Sequence, residues 1–184
     1  MHRYIIWPAV ALALALAVYV AEPYFVTQRA AAGGPSGLAG QPAPIFDLRD
    51  DRGRTVSLRE YRGSLVVMNL WASWCPPCRA EMPDLQRLAE AEAGRGIAVV
   101  GVNEGESPQR ARAFADSLGI RFPIWVDGGQ QYGRTYNALG LPTTVILDRE
   151  GVVIRAFDGP LTLDEMRAAV AAVRVRCFGF CRRR

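Results

Sequence analysis

The chain has 184 residues, half of them hydrophobic, with 22 basic against 18 acidic side chains, enough for one ordinary domain and an appendage. Its net charge of +4 sits at the ends: residues 42–181 hold 17 Arg against 17 Asp plus Glu, and the surplus is Arg3, Arg29 and Arg182 to Arg184, offset by Glu22. The absence of a basic stripe excludes a nucleic-acid surface, the absence of Lys excludes Schiff-base and P-loop chemistry, and the single His2 excludes His-based triads and His-ligated metals.

Tyr4–Ala21 is eighteen residues without a charge. As a helix it would be roughly 27 Å long, close to the hydrocarbon thickness of about 30 Å. It has no polar face at helical spacing, which argues against a core helix. A cleaved signal peptide is the rival reading. However, Tyr19-Val20-Ala21 puts a bulky side chain where cleavage wants a small one, so an uncleaved anchor over residues 1–26 is expected. Arg3 precedes the span and Glu22 follows it, which places the bulk of the chain outside the cytoplasm. Residues 27–41 (TQRAAAGGPSGLAGQ) are small and aperiodic, as a flexible linker is.

The folded part is predicted over residues 42–176. Ile45–Leu48 and Thr55–Leu58 alternate in polarity around a charged turn with Gly53, which predicts a hairpin. Leu65–Trp71 is a nearly continuous apolar run, the mark of a strand buried on both faces. A helix follows, with Pro76 and Pro77 in its first turn, Met82, Leu85, Leu88 and Ala89 on its buried face, and Gly94 at its end. Ile97–Val102 is a second buried strand. Ser107 caps a helix running to Leu118, and Gly119 stops it. Phe122–Val126 is a shorter strand. Thr143–Leu147 and Val152–Phe157 form a hairpin about Asp148–Gly151. Thr162 caps a last helix with Leu163, Met166, Val170 and Val173 inward. The order describes an α/β fold: a mixed sheet with helices on both faces.

Chemistry concentrates in Trp74-Cys75-Pro76-Pro77-Cys78. Cys75 falls where a buried strand gives way to a helix, so unpaired amides and the helix dipole favour its thiolate. Two intervening residues close one helical turn and bring the sulfurs together. Cys75, first and more exposed, is the expected attacking thiolate, and Cys78, a turn deeper, the resolving one. Two other readings stay open: a static disulfide, and half of a zinc site completed by Cys177 and Cys181. A disulfide closing so short a loop adds little stability, which favours a pair that changes state. Trp71 and Trp74 are expected to rim the site, with a simple core position the alternative for Trp71 and Trp74 the better candidate for contact with a bound chain.

The segment Val67–Pro83 (VMNLWASWCPPCRAEMP) resembles the active-site stretch of the thioredoxin superfamily. It is most similar to the membrane-tethered TlpA/ResA branch, which includes the CcmG-type reductases of cytochrome c maturation. The likeness extends over residues 42–174 and includes Val102–Ser107 (VNEGES) and Gly140–Thr144 (GLPTT). It implies a thioredoxin-like fold with a central insertion and a cis peptide before Pro142, beside the cysteine pair. It also implies that Leu141 pairs with an extended client chain. Asn69 stands where thioredoxin carries a buried Asp. Glu81, three residues after Cys78 and about 60° round the helix, matches a Glu that handles protons for the cysteines in that branch; a solvated surface carboxylate is the alternative.

The resemblance implies a single-pass inner-membrane protein whose domain faces the periplasm. There it would reduce disulfides of exported proteins, such as apocytochrome c, with electrons from a membrane thiol carrier of the DsbD/CcdA kind. No cofactor and no metal are expected. A disulfide-forming oxidase of the same fold, a peroxiredoxin-like peroxidase and a non-enzymatic anchored binding module are the alternatives. Cys177 and Cys181, in an expected tail over residues 177–184, are assigned a structural disulfide by default; a second redox pair or a metal clip is the functional reading.

Overall fold

The computed structural model describes residues 39–180, with side chains up to Arg174. The span at Tyr4–Ala21, most of the linker, and any bond between Cys177 and Cys181 lie outside those described residues. Among the described residues no helix is long and apolar enough to cross a membrane.

Among the described residues seven strands form one sheet: β1 (Leu48–Asp50), β2 (Thr55–Val56), β3 (Leu65–Trp71), β4 (Ile97–Glu104), β5 (Ile124–Asp127), β6 (Thr143–Leu147) and β7 (Val153–Asp158), in the order β2-β1-β5-β4-β3-β6-β7. β4 runs parallel to both β3 and β5, and the other neighbours are antiparallel. Central β3 is buried at every position, as its apolar run requires.

The pleat splits β3 between two cores. Leu65, Val67 and Trp71 face a layer of three helices: α1 (Pro76–Glu92), α2 (Pro108–Ser117) and α4 (Leu163–Phe180). Val66, Met68 and Leu70 face the other side, covered by the short α3 (Gln131–Thr135) through Tyr132 and Tyr136 and by the loop residues Ile45 and Phe46. The Phe46 ring meets Tyr132 edge to face, with centroids 4.8 Å apart.

Gly101 allows the tightest packing. A Cβ there would lie 2.9 Å from Trp71 Nε1 and 3.0 Å from Ile124 Cδ1 and Phe122 Cε2. The missing side chain lets the Trp71 indole lie against β4.

Three expectations shift. The first hairpin strand is Leu48–Asp50, later than Ile45–Leu48. The Asp50 carboxylate accepts from the N–H groups of Arg52 and Arg54 at 2.9 and 2.8 Å, and this places the turn and so the register. The linker ends sooner than Gln41. Gly40 N–H donates to Val153 at 2.8 Å and Val153 N–H to Gln41 at 2.9 Å, so Gly40–Ala43 lies along the outer edge of β7. The last helix passes Arg176 and takes Cys177 into its final turns, correcting the expected tail boundary. Nothing between Val173 and Phe178 is a Gly or Pro that would stop it.

Both helices framing the cysteine pair start as the sequence indicates. α1 begins at Cys75 with prolines in its first turn and closes beyond Glu92, where Gly94 adopts φ +72°. At the head of α4, Thr162 and Glu165 exchange bonds: Glu165 N–H donates to Thr162 Oγ1 at 3.3 Å and Thr162 N–H donates to Glu165 Oε2 at 2.8 Å.

Candidate active site

β3 ends at Trp71, and the chain turns through Ala72–Trp74 into α1. Cys75 is the N-cap of that helix: its Sγ accepts from the Cys78 N–H at 3.2 Å, and its carbonyl accepts from Arg79 N–H at 3.1 Å. The two cysteines form a disulfide with Cα atoms 5.3 Å apart. Pro76 and Pro77 occupy the first turn, where a missing N–H leaves no helical bond unmade. Because the sulfurs lie at the amino end of a 17-residue helix, its dipole stabilises the thiolate that reduction releases.

Both cysteines are buried, at 3% and 1% exposure, while the neighbouring Trp74 is 62% exposed. Trp71 takes its core alternative: it is wholly buried and packed on Phe114 of α2 with centroids 5.4 Å apart.

The Leu141–Pro142 peptide is cis. Pro142 is buried, and half-buried Leu141 packs against the cluster that contains both cysteines. The segment is held by its flanks. Gly159 N–H donates to the Pro142 carbonyl at 2.9 Å, and Thr143 Oγ1 lies 2.8 Å from the Gly140 carbonyl and 3.0 Å from Asp158 Oδ1. Leu139, just before it, is 82% exposed.

Glu81 is buried at 3% exposure, which removes the solvated-carboxylate alternative. Its Oε1 accepts from the Leu161 N–H at 3.2 Å, and Oε2 is buried with no hydrogen-bond partner. Burial pushes its carboxyl from 4.5 up to about 7, against the pull of the Leu161 amide and the nearby Asn69 side chain. Asn69 in turn donates to Thr144 Oγ1 at 3.0 Å. Glu81 thus sits three residues past Cys78 on the same helix with its carboxyl raised to about 7, a range in which a group can both take up and give up a proton. Among the described residues, no three His, Cys, Asp or Glu side chains group in a way that would hold a metal.

Sequence reasoning assigned no role to Ser73, Asn103 and Glu106, which meet beside the cysteine loop. Ser73 N–H and Oγ both donate to the Glu106 carboxylate, at 2.7 and 2.6 Å. The only signal was that Asn103 and Glu106 fall in the VNEGES segment. Glu104 and Asp127 form a buried acidic pair at matched positions of β4 and β5. They lie on the α3 side of the sheet, where Asp127 Oδ2 accepts from the Tyr132 N–H at 2.8 Å.

Comparison with known proteins gives consistent matches. Residues 39–156 match the AhpC/TSA family. The thiol-disulfide oxidoreductase ResA of Geobacillus kaustophilus is 32% identical, over 94% of this chain and 97% of that protein. The thioredoxin-like protein YneN of Bacillus subtilis is 41% identical, over 69% of this chain and 75% of that protein. Among solved structures, a thiol:disulfide interchange protein of the thioredoxin family from Chlorobium tepidum superposes with a TM-score of 0.64 at 28% identity. That superposition spans 71% of this chain and 94% of the other.

Proposed function

The chain belongs to the AhpC/TSA family as a ResA-like thiol-disulfide oxidoreductase with a thioredoxin-like fold, and from that premise we propose that it reduces disulfides of exported proteins while tethered to a membrane. The observation that carries this reading is the Cys75–Cys78 disulfide at the amino end of α1, three residues before a buried carboxyl at near-neutral pKa.

In the reduced protein the Cys75 thiolate attacks one sulfur of the client disulfide. A mixed disulfide forms and the client's other sulfur leaves as thiolate. Cys78 gives its proton to Glu81 and attacks Cys75 Sγ. The client's remaining sulfur is expelled as thiolate, and the Cys75–Cys78 bond is restored. Two electrons pass from this protein to the client, and protonation of the released thiolates completes the balance. Trp74 and Leu141 contact the client chain. A membrane thiol carrier of the DsbD/CcdA kind returns the electrons, and the Tyr4–Ala21 span holds the domain on the extracytoplasmic face of the inner membrane. Apocytochrome c, whose haem attachment needs free thiols, is the client class that fits.

The test is trapping. Full-length chain carrying Cys78→Ser, expressed with its membrane fraction, should accumulate client joined to Cys75 as a reducible adduct, and apocytochrome c should be among the trapped chains. A Cys78→Ser chain that captures nothing, while Cys75 is free and alkylatable, refutes the reading. The direction is checked separately by the reduction potential: a value near that of DsbA, about −120 mV, would make the protein an oxidase.

A further inference from the structure

Glu106 lies just ahead of α2 and outside the Cys-Pro-Pro-Cys segment, yet its carboxylate is 6% exposed and fully engaged. Oε2 accepts from the Ser73 backbone N–H and from the Asn103 side-chain amide, both at 2.7 Å. Oε1 accepts from the Ser73 hydroxyl at 2.6 Å and lies 3.2 Å from Arg110 Nε. Burial works against ionisation here. Hydrogen bonds from Asn103 and Ser73, with the Arg110 charge, outweigh it and hold the carboxyl below its ordinary range.

Capping does not account for this investment. The N-cap of α2 is Ser107, whose Oγ accepts from Arg110 N–H at 3.3 Å. What Glu106 grips, twice, is a residue 33 positions earlier in the chain. Ser73 sits in the turn off β3, next to Trp74 and two residues before Cys75. Ala72 is buried and its carbonyl accepts from Cys75 N–H at 3.2 Å, but Trp74 is 62% exposed, so packing does little to hold Trp74 itself. The carboxylate adds a restraint on the residue before it, through charge-assisted bonds that are each stronger than neutral ones.

Granting the exchange reaction proposed above, we propose that Glu106 is a positioning residue for it: by fixing Ser73 it presents Trp74 to the incoming client in a single geometry. The reacting sulfurs remain held by α1 when the grip is lost. The penalty therefore falls on client binding, as a rise in KM larger than the fall in kcat.

The test uses the full chain and an oxidised synthetic peptide with one Cys-x-x-Cys disulfide. Glu106→Ala should lower kcat/KM about tenfold, mainly through KM, a loss of the size that loosened positioning produces. Ser73→Ala, which removes one of the two bonds and leaves the core intact, should give a smaller loss of the same kind. Glu106→Gln keeps one acceptor oxygen and should recover part of it. On a Trp74→Ala background, Glu106→Ala should add little, because both act on one contact. The proposal is overturned if Glu106→Ala keeps wild-type kcat/KM, or if its loss multiplies with that of Trp74→Ala. Should Glu106→Ala not fold, Ser73→Ala decides alone, with an unchanged KM counting against the proposal. An inert wild-type chain would refute the exchange reaction itself, whereas an active wild type with indifferent variants refutes only the role of Glu106.

Discussion

Replacing Glu81 with Gln tests whether the carboxyl beside the cysteine pair holds a proton at neutral pH. Burial raises its pKa from 4.5 to about 7, and each tenfold change in proton affinity is worth about 1.4 kcal/mol, so the folded state disfavours the ionised form by roughly 3 kcal/mol. Between about pH 4.5 and 7 the folded chain keeps this proton while the unfolded chain has lost it. The stability contributed by protonated Glu81 is therefore complete below about 4.5, falls as pH rises through about 7, and is level above that. Gln is the uncharged isostere and still offers an oxygen to the Leu161 N–H. Urea unfolding of the oxidised wild-type and Glu81→Gln proteins, at steps from pH 4.5 to 8.5, should give stabilities that diverge in favour of the variant. The divergence should approach about 3 kcal/mol at the alkaline end. Glu104, raised similarly to about 7 by burial and by the neighbouring Asp127 charge, is present in both proteins and cancels in the difference. The same variant should lose the inflection near pH 7 in the rate of disulfide exchange. Stability curves that run parallel with pH would refute the assignment of a buried, protonated Glu81.

Further substitutions separate architecture from chemistry. Gly101→Ala forces a methyl group to 2.9 Å from Trp71 Nε1; urea unfolding should show a loss of about 1–3 kcal/mol. Ser57→Ala removes the hydroxyl that accepts backbone N–H bonds at the start of the short 3-10 turn at Leu58–Tyr61, while the backbone N–H of residue 57 still donates to Glu60; it should cost about 1 kcal/mol in the same assay, with exchange kinetics unchanged. Trp74→Ala, at an exposed position, should leave stability within about 0.5 kcal/mol of wild type and raise the KM for a disulfide-bonded peptide.

Where local pattern decides structure, the sequence was readable. Leu65–Trp71 has an unbroken apolar run because both its faces are covered, and that run located the central strand correctly. Cys75 and Cys78 were legible because their spacing has a direct geometric meaning at a helix start. Ile45–Leu48 misled because alternation describes an extended chain without saying whether it is paired. Here Ile45 and Phe46 pack as loop against the Tyr132 side of the sheet, and the Asp50 turn sets the register three residues later. Trp71 and Trp74 differ by where the strand ends: Trp71 is the last residue of β3 and packs on α2, whereas Trp74 lies in the turn beyond it and is exposed.

Ionisation is the property the sequence conceals most completely. Glu81, Glu104 and Glu106 are the same residue type, each with a nearly buried carboxyl group, yet they hold their protons differently. Glu81 has one backbone donor on Oε1 and nothing on Oε2. Glu104 faces the charge of Asp127. Both are driven up to about 7. Glu106 meets Ser73 twice, Asn103 once and the Arg110 guanidinium, and stays ionised. The donors that make this difference come from positions far apart in the chain: Leu161 for Glu81, across 80 residues, and Ser73 for Glu106, across 33. Around the disulfide the fold thus gives two acids opposite surroundings. One, on the Cys78 helix, is short of donors, as the proposed proton exchange with Cys78 requires. The other, beside the Trp74 turn, is rich in donors that favour its charged form, as the proposed positioning role requires while the sulfurs change partners.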